Sequence, residues 1–480
     1  MRKLIPAIGL CAFLFSLTTA NAQEKWSLRE CVEYALANNI SVRQEDITAK
    51  MDELTLHQSR LDRYPSAILG ANGSINTGRF IDPTTNLFTT QSVFTAGFSF
   101  QSSVDLFNFF SKKNDIAGNK YNAEASRANV DKIKNDIALN VAAAYLQALL
   151  SIEQANISEV QVKQTSAQLN NTRKLVDAGT LPELNAAEIE AQLARDSSTL
   201  ITARGAATQN LLLLKALLNL DAGKPFDIET PPVENIPVEP LATLQPADVY
   251  ALALINMPQQ RVNSLRISAA QKYAEAAKGR MYPSLSLGAN LRTNYSGLES
   301  NSRLESTTML PPTQPIGVIK GTTDTVLAFN QQRTFSFFSD PFGLQFSDNF
   351  GTGIGLNLSV PLFNGGVART NYKRALLTVK TWELTQEQSN YTLKQDIYTA
   401  YTNAVTALQK FNASQKSVET AEKAYNFANR RYEIGLLNSI DLITNQSLLF
   451  RARLERSAAQ YEYVFRTKVL EFYRGQGIKL

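Results

Sequence analysis

Imidazole and thiol chemistry are almost missing from this chain. His57 is the only histidine in 480 residues, and Cys11 and Cys31 are the only cysteines. Zinc and copper sites gather several such ligands in one place, so no metal is expected. A nucleophile–imidazole triad would have to use His57, which falls on a predicted helix among polar neighbours, where a solvated or packing role is expected. Gly355-Leu356-Asn357-Leu358-Ser359 reads as strand rather than nucleophile elbow, and neither a Walker-type phosphate loop nor a GxGxxG turn occurs. No cofactor and no catalytic residue is expected, and the chain does not read as an enzyme.

Charge of one sign is lacking too. The formal net charge is +5, or +3 without Arg2 and Lys3, too near balance for the basic stripe of a nucleic-acid binder. The one long apolar run lies at the N-terminus, where Arg2 and Lys3 precede Leu4 to Leu17 and Ala20-Asn21-Ala22 has the form of a signal-peptidase site. Residues 1–22 are therefore expected to be a cleaved signal peptide. Cys11 sits mid-run, which does not fit a lipoprotein, and Cys31 would be the only cysteine left, which excludes an intrachain disulfide. No later run approaches the roughly 18 residues of a transmembrane helix. Export then leaves a periplasmic, secreted or outer-membrane β-barrel protein, and the length is too great for one compact core.

What the chain does have is a duplication. Tyr64-Pro65-Ser66 and Leu69-Gly70-Ala71-Asn72 recur as Tyr282-Pro283-Ser284 and Leu287-Gly288-Ala289-Asn290, offset by 218. Ser103-Val104 and Leu106-Phe107-Asn108 recur as Ser359-Val360 and Leu362-Phe363-Asn364, offset by 256, and the same offset maps Gly179 onto Gly435. The 38 residues by which the offsets differ fall in one loop between two strand motifs. The expected organisation is a first repeat over 23–223, a linker over 224–246 and a second repeat over 247–480. Pro225, Pro231, Pro232, Pro237, Pro240 and Pro246 deny the linker regular structure.

Each repeat reads helix, strand, loop, strand, long helix, turn, helix. Phe94, Ala96, Phe98, Phe100, Ser102, Val104 and Leu106 alternate with Thr95, Gly97, Ser99, Gln101, Ser103 and Asp105, and the pattern returns from Phe350 to Leu362. Shorter versions run from Ser284 to Arg292 and from Ser66 to about Gly73, where Ile68 interrupts the polar face. Alternation fits any half-buried antiparallel sheet, a soluble sandwich included. Export, strands longer than the roughly 9–11 residues that cross a bilayer, and a small uncharged polar face favour a membrane barrel. Four strands cannot close one, and an open edge in lipid leaves backbone groups unpaired, so oligomerisation is expected.

The helices carry a sustained repeat of 3 and 4. Ile397, Ala400, Ala404, Ala407, Phe411, Ser414, Val418, Ala421, Tyr425, Ala428 and Tyr432 hold it for five heptads, matched in the first half from Val141 to Val176. That period predicts coiled-coil packing through a seam of mostly small residues. The helix from about Ser111 to Ala178 would span roughly 100 Å at 1.5 Å per residue. Those from Ser27 to Arg63 and from Pro182 to Leu218 are each about half that length. Three copies would supply twelve helical columns and twelve strands.

Leu28 with Ala35-Leu36-Ala37-Asn38-Asn39, the two Tyr-Pro pairs, Val360-Pro361-Leu362-Phe363-Asn364-Gly365-Gly366, and Arg431-Tyr432-Glu433-Ile434-Gly435-Leu436 leading to Ile440-Asp441-Leu442 together resemble the TolC-like outer-membrane factors. The resemblance covers essentially the whole mature chain. It implies a mixed α+β membrane protein: a homotrimeric 12-stranded β-barrel in outer-membrane lipid, four strands per chain, continued by a periplasmic α-helical barrel. Loops about 73–92 and 293–348 would be extracellular. The implied function is a passive exit duct of a tripartite efflux or type I secretion system, docking on a periplasmic adaptor (membrane fusion) protein and an inner-membrane pump.

Gly179 and Gly435 fit helix C-terminal caps wherever the chain reverses. By the resemblance, Gly179-Thr180-Leu181 and Gly435-Leu436-Leu437 are also the periplasmic tips that meet the adaptor. Asp441 either favours a helix start or, as the resemblance implies, contributes to a carboxylate ring at the tunnel mouth. The second acidic position of that ring is Thr444 here, and the first-half counterpart is Asn185. Tyr432 could link helices at the gate, although its seam position points to plain packing. The alternative reading is a periplasmic coiled-coil adaptor, which would need a lipoyl-like domain where these turns have only a few residues, or a structural protein without a channel.

Overall fold

The computed structural model describes residues 25–83, 86–233, 236–299, 301–311 and 314–475; the expected signal peptide lies outside them. In chain order the first half runs α1 (Leu28–Asn38), α2 (Ile40–Leu61), β1 (Ser66–Asn76), β2 (Arg79–Ile81), β3 (Phe88–Thr90), β4 (Val93–Phe107), α3 (Ser111–Asp177) and α4 (Glu183–Leu217). Two helices then open the second half, α5 (Pro246–Asn256) and α6 (Pro258–Gly279). Five strands follow: β5 (Ser284–Ser296), β6 (Asn301–Leu310), β7 (Pro315–Val318), β8 (Thr325–Leu327) and β9 (Asn330–Phe338). The chain finishes with α7 (Phe342–Asp348), β10 (Gly351–Ser359), α8 (Val367–Glu433) and α9 (Ser439–Tyr473). Corresponding helices match in length: 11 residues for α1 and α5, 22 for α2 and α6, 67 for α3 and α8, 35 for α4 and α9.

The single helix expected from Ser27 to Arg63 is two helices. Ser27 and Glu30 form a capping box at the start of α1. Asn39 then turns extended (φ −63°, ψ 131°), and its side-chain oxygen accepts from the Ser41 amide at 2.9 Å, so it stops one helix and starts the next. In the second half Met257 is extended (φ −74°, ψ 125°) because Pro258 follows, and proline disfavours the helical region for the residue before it.

The chain forms two compact units. Glu53–Tyr121 with Ser268–Lys380 make the strand-bearing one. Its main sheet has the order β1-β4-β5-β10, antiparallel throughout. The register pairs Leu69 with Phe100, Phe100 with Leu291, and Leu291 with Thr352. Ala67, Ser102, Ala289 and Ile354 align likewise, as do Val104, Leu287 and Leu356. The apolar sets of four separate strands thus share one face. The other face aligns Gly70, Ser99, Arg292 and Gly351, and beside them Ile68, Gln101, Asn290 and Gly353. A bulge at Leu106 shifts the register where β4 ends.

The strand expected from Phe350 to Leu362 stops at Ser359, because its partner begins at Ser284 and Pro361 follows. Conversely β1 and β5 run past their expected ends, to Asn76 and Ser296, so the connecting loops are shorter than 73–92 and 293–348. The longer connection is not plain coil. β6 pairs with β9 and β7 with β8, each pair a two-stranded ribbon, and α7 follows. Local sequence gives little sign of these strands, because Ser306-Thr307-Thr308 and Gln331-Gln332 put polar side chains on both faces. Cross-strand partners supply the pairing instead.

The described residues up to Asp52, with Asn122–Ile267 and the described residues from Thr381 onward, make the other, helical unit. The heptad seam is its interior. Ile397, Ala400, Ala404, Ala407, Ser414, Val418, Ala428 and Tyr432 are buried, as are Val141, Ala148, Ser151, Ala155, Ser158, Thr165, Leu169 and Thr172. One cluster gathers Cys31, Ala35, Val141, Tyr145, Leu149, Leu214 and Leu218. The proline-rich segment adds Ile228 and Ile236 to it, so that segment is packed, and contrary to expectation it holds one turn of 3-10 helix at Leu241–Thr243. Its Ile228 bridges Trp26, and the Tyr145 hydroxyl donates to the Glu229 carbonyl at 2.9 Å.

Candidate functional site: hairpin tips and strand sheet

The two helical hairpins reverse by the same device. Gly179 has φ +72° and Gly435 φ +74°, the left-handed conformation that glycine adopts without a Cβ penalty. The amides that follow reach back into the last helical turn, Thr180 to the Leu175 carbonyl at 2.9 Å and Leu436 to the Arg431 carbonyl at 2.8 Å. These are Schellman-type caps, which satisfy carbonyls that a helix end leaves without partners. The returning helices start differently. Pro182 precedes α4 without a side-chain cap, whereas Asn438 caps α9 by accepting from the Asp441 amide at 2.7 Å.

Leu169, Ile189, Ala428, Tyr432 and Leu442 form a buried cluster behind the turns, with Leu181 and Leu437 packed against it. Of the six expected tip residues, Gly179, Thr180, Gly435 and Leu436 are exposed, while Leu181 and Leu437 tuck inward. Ile434, Leu436, Ile440 and Leu184 leave between 59% and 69% of their surface open, an apolar knob in the same region. Of these, sequence reasoning assigned only Leu436 to the tip. The available signal was an apolar residue off the seam beside a capping glycine.

The expected gate residues separate. Tyr432 is 1% exposed, and its hydroxyl shares a hydrogen bond with that of Thr172 at 3.1 Å, so it joins the two hairpins of one chain. Asp441 and Thr444 are exposed in the first turns of α9, and Asn185 is half-buried in the first turn of α4. Ser439 hydrogen-bonds Glu188, tying α9 to α4 just beside them.

Farther from the turns lies a polar layer that the heptad reading passed over. Asp196 accepts from Thr165 at 2.6 Å, from Gln161 at 3.2 Å and from Gln192 at 2.7 Å, and Gln446 donates to Thr165 at 2.9 Å. All five side chains are buried. Three helices, α3, α4 and α9, are thereby held at one level by donors matched to acceptors.

In the strand-bearing unit the apolar face is open. Leu69 is 80% exposed and Ile354 82%, and Leu356 and Leu358 are exposed beside them. Aromatic rings cluster at two levels along β4, around Phe98 and around Phe107. Phe98 meets Phe342 and Phe346 edge-on at 6.1 and 5.9 Å, and Tyr295 lies 5.4 Å from Phe342. At the other level Phe107 lies 5.2 Å from Phe109, which stacks on Tyr282 at 4.5 Å. The sheet thus carries an open apolar band between two groups of aromatic rings. Among the described residues no helix is long and apolar enough to cross a membrane, and no group of side chains is placed to hold a metal ion.

Known proteins share this arrangement. The chain is similar to Outer membrane protein TolC of Escherichia coli (strain K12), with 20% identity over 467 residues, 97% of this chain and 84% of that one. Alkaline protease secretion protein AprF of Pseudomonas aeruginosa is 23% identical over 344 residues, 71% of this chain and 61% of that protein. In fold the chain matches CusC, known from crystal structures of transmembrane channel formation, with a TM-score of 0.74 at 17% identity over 94% of this chain and 93% of that one. The sequence pattern of the family described as Outer membrane efflux protein matches residues 32–220 and 249–475, one segment in each half. This chain belongs to the outer membrane efflux protein family.

Proposed function

We propose that three copies of this chain close into a 12-stranded barrel in the outer membrane, continued by a periplasmic tunnel of helices, and serve as a passive exit duct. The observation that carries this reading is the four-stranded antiparallel sheet, with one continuous apolar face and, among the described residues, both outer strands β1 and β10 unpaired on one side. Unpaired strand edges in hydrocarbon cost several kcal/mol per group, so the sheet needs further copies to close it. The number three comes from the resemblance to TolC-like factors. The polar face, small and mostly uncharged, then lines a water-filled lumen.

The tips dock on a periplasmic adaptor fed by an inner-membrane pump. Ile434, Leu436, Ile440 and Leu184 offer that adaptor an apolar contact, and the exposed turns offer it backbone. Asp441 and Thr444 line the tunnel mouth at the start of α9, with Asn185 at the matching place on α4. Small molecules or polypeptides are the cargo. Mass measurement in detergent tests the assembly: a trimer with channel conductance in planar bilayers is expected, and a folded, membrane-inserted monomer would refute it.

A further inference from the structure

The ribbon of β6 and β9, between β5 and β10, has a sidedness that the duct does not use. Its register pairs Leu304 with Phe335 and Ser302 with Phe337, and Met309 with Gln331 beyond the bulge. Leu304, Met309, Phe335 and Phe337 therefore share one face, and 45% to 62% of each is exposed. The opposite face carries Asn301, Arg303, Ser306, Thr308, Gln332, Thr334 and Ser336, with Leu310 and Phe338 at its ends. An isolated two-stranded ribbon is marginal in water, and the apolar side of this one stands open to solvent.

Arg333, Gln331 and Thr307 lie among those apolar residues, which tells against burial in hydrocarbon and fits a protein interface with polar edges. Topology says which protein. The ribbon leads into β10, one outer strand of the sheet, and the β2–β3 hairpin leads out of β1, the other. If copies close a ring by pairing β10 of one with β1 of the next, the ribbon of one copy rises beside the β2–β3 hairpin of its neighbour. That hairpin also exposes apolar residues: Ile81 and its cross-strand partner Phe88, with Leu87 beside them, are open by 54% to 67%.

We infer that the apolar face of the ribbon docks on the Ile81–Leu87–Phe88 surface of the neighbouring copy, forming an inter-subunit clasp above the barrel. This rests on the ring-closure reading, and the test separates the two. Cysteines placed at Phe337→Cys and Phe88→Cys in the full-length protein, in outer membranes, are treated with a short bismaleimide; Cys31 is buried and serves as the unmodified background. Denaturing gels are expected to show covalent dimers and trimers of the double variant and none of either single variant. Native mass is measured on the same samples. An intact trimer without chain-to-chain cross-links, or with conjugates only to lipid or to other proteins, overturns the clasp and leaves the duct standing. Loss of the trimer in the unmodified protein overturns both.

Discussion

Cys31 shows how a residue that looks reactive on paper is made inert by its surroundings. It is fully buried, and desolvation, with the nearby Glu30 carboxylate second, pushes its thiol up to about 12. The thiolate is the reactive form, so the folded protein should resist maleimide at neutral pH and take it up only on unfolding. The same shift fixes a sign. A folded-state value above the unfolded one contributes stability that is complete below the free-thiol range and is lost as pH rises toward about 12. Urea titrations at rising alkaline pH should therefore show Cys31→Ala losing less stability with pH than the natural chain; equal loss would remove Cys31 as a source. Asp441 is the opposite case, an exposed carboxylate whose meaning depends on its copies. Asp441→Ala is expected to leave folding and assembly intact while raising resting conductance or weakening block by trivalent cations in planar bilayers. If it acts only at the helix start, conductance stays unchanged and stability falls by about 1 kcal/mol or less.

At the scale of elements, the long helices were legible because a seam of small residues repeats every 3 and 4 positions, and burial follows that seam through Ala400, Ala404 and Ala407. The break at Asn39 was not legible, since Asn38-Asn39 inside an otherwise helical pattern becomes a stop only when the Asn39 side chain caps the next helix and donates to the Leu217 carbonyl at 3.0 Å. Nor was the polar layer, because Gln161, Gln192 and Gln446 lie outside the apolar repeat and meet only when three helices bring them to Asp196 and Thr165. Asp196→Asn turns one acceptor toward the donors into a competing donor. The expected loss is about 1–3 kcal/mol, read as faster hydrogen exchange in α3 and α4 around the layer. Unchanged protection there would show that the layer adds nothing to the bundle.

For the whole molecule, the proposed topology puts the ribbon outside the cell and the helix turns in the periplasm. A cysteine at Thr322, in the turn between β7 and β8, should react with a membrane-impermeant maleimide on intact cells. One at Leu436 should react only once the outer membrane is permeabilised. The reverse order of labelling would invert the topology. The long helices, the four strands of the main sheet and the duplication were readable from the residues alone, because side-chain period and turn glycines act locally and survive in one dimension; the ribbon strands β6–β9 and the break at Asn39 were not. The apolar face of each strand in the main sheet was readable too. The strand order β1-β4-β5-β10, the alignment of four apolar faces into one, and the burial of Tyr432 against Thr172 emerge once the chain is folded. Those depend on which distant segments pair, and pairing is settled by cross-strand and interhelical contacts over separations that no local pattern records.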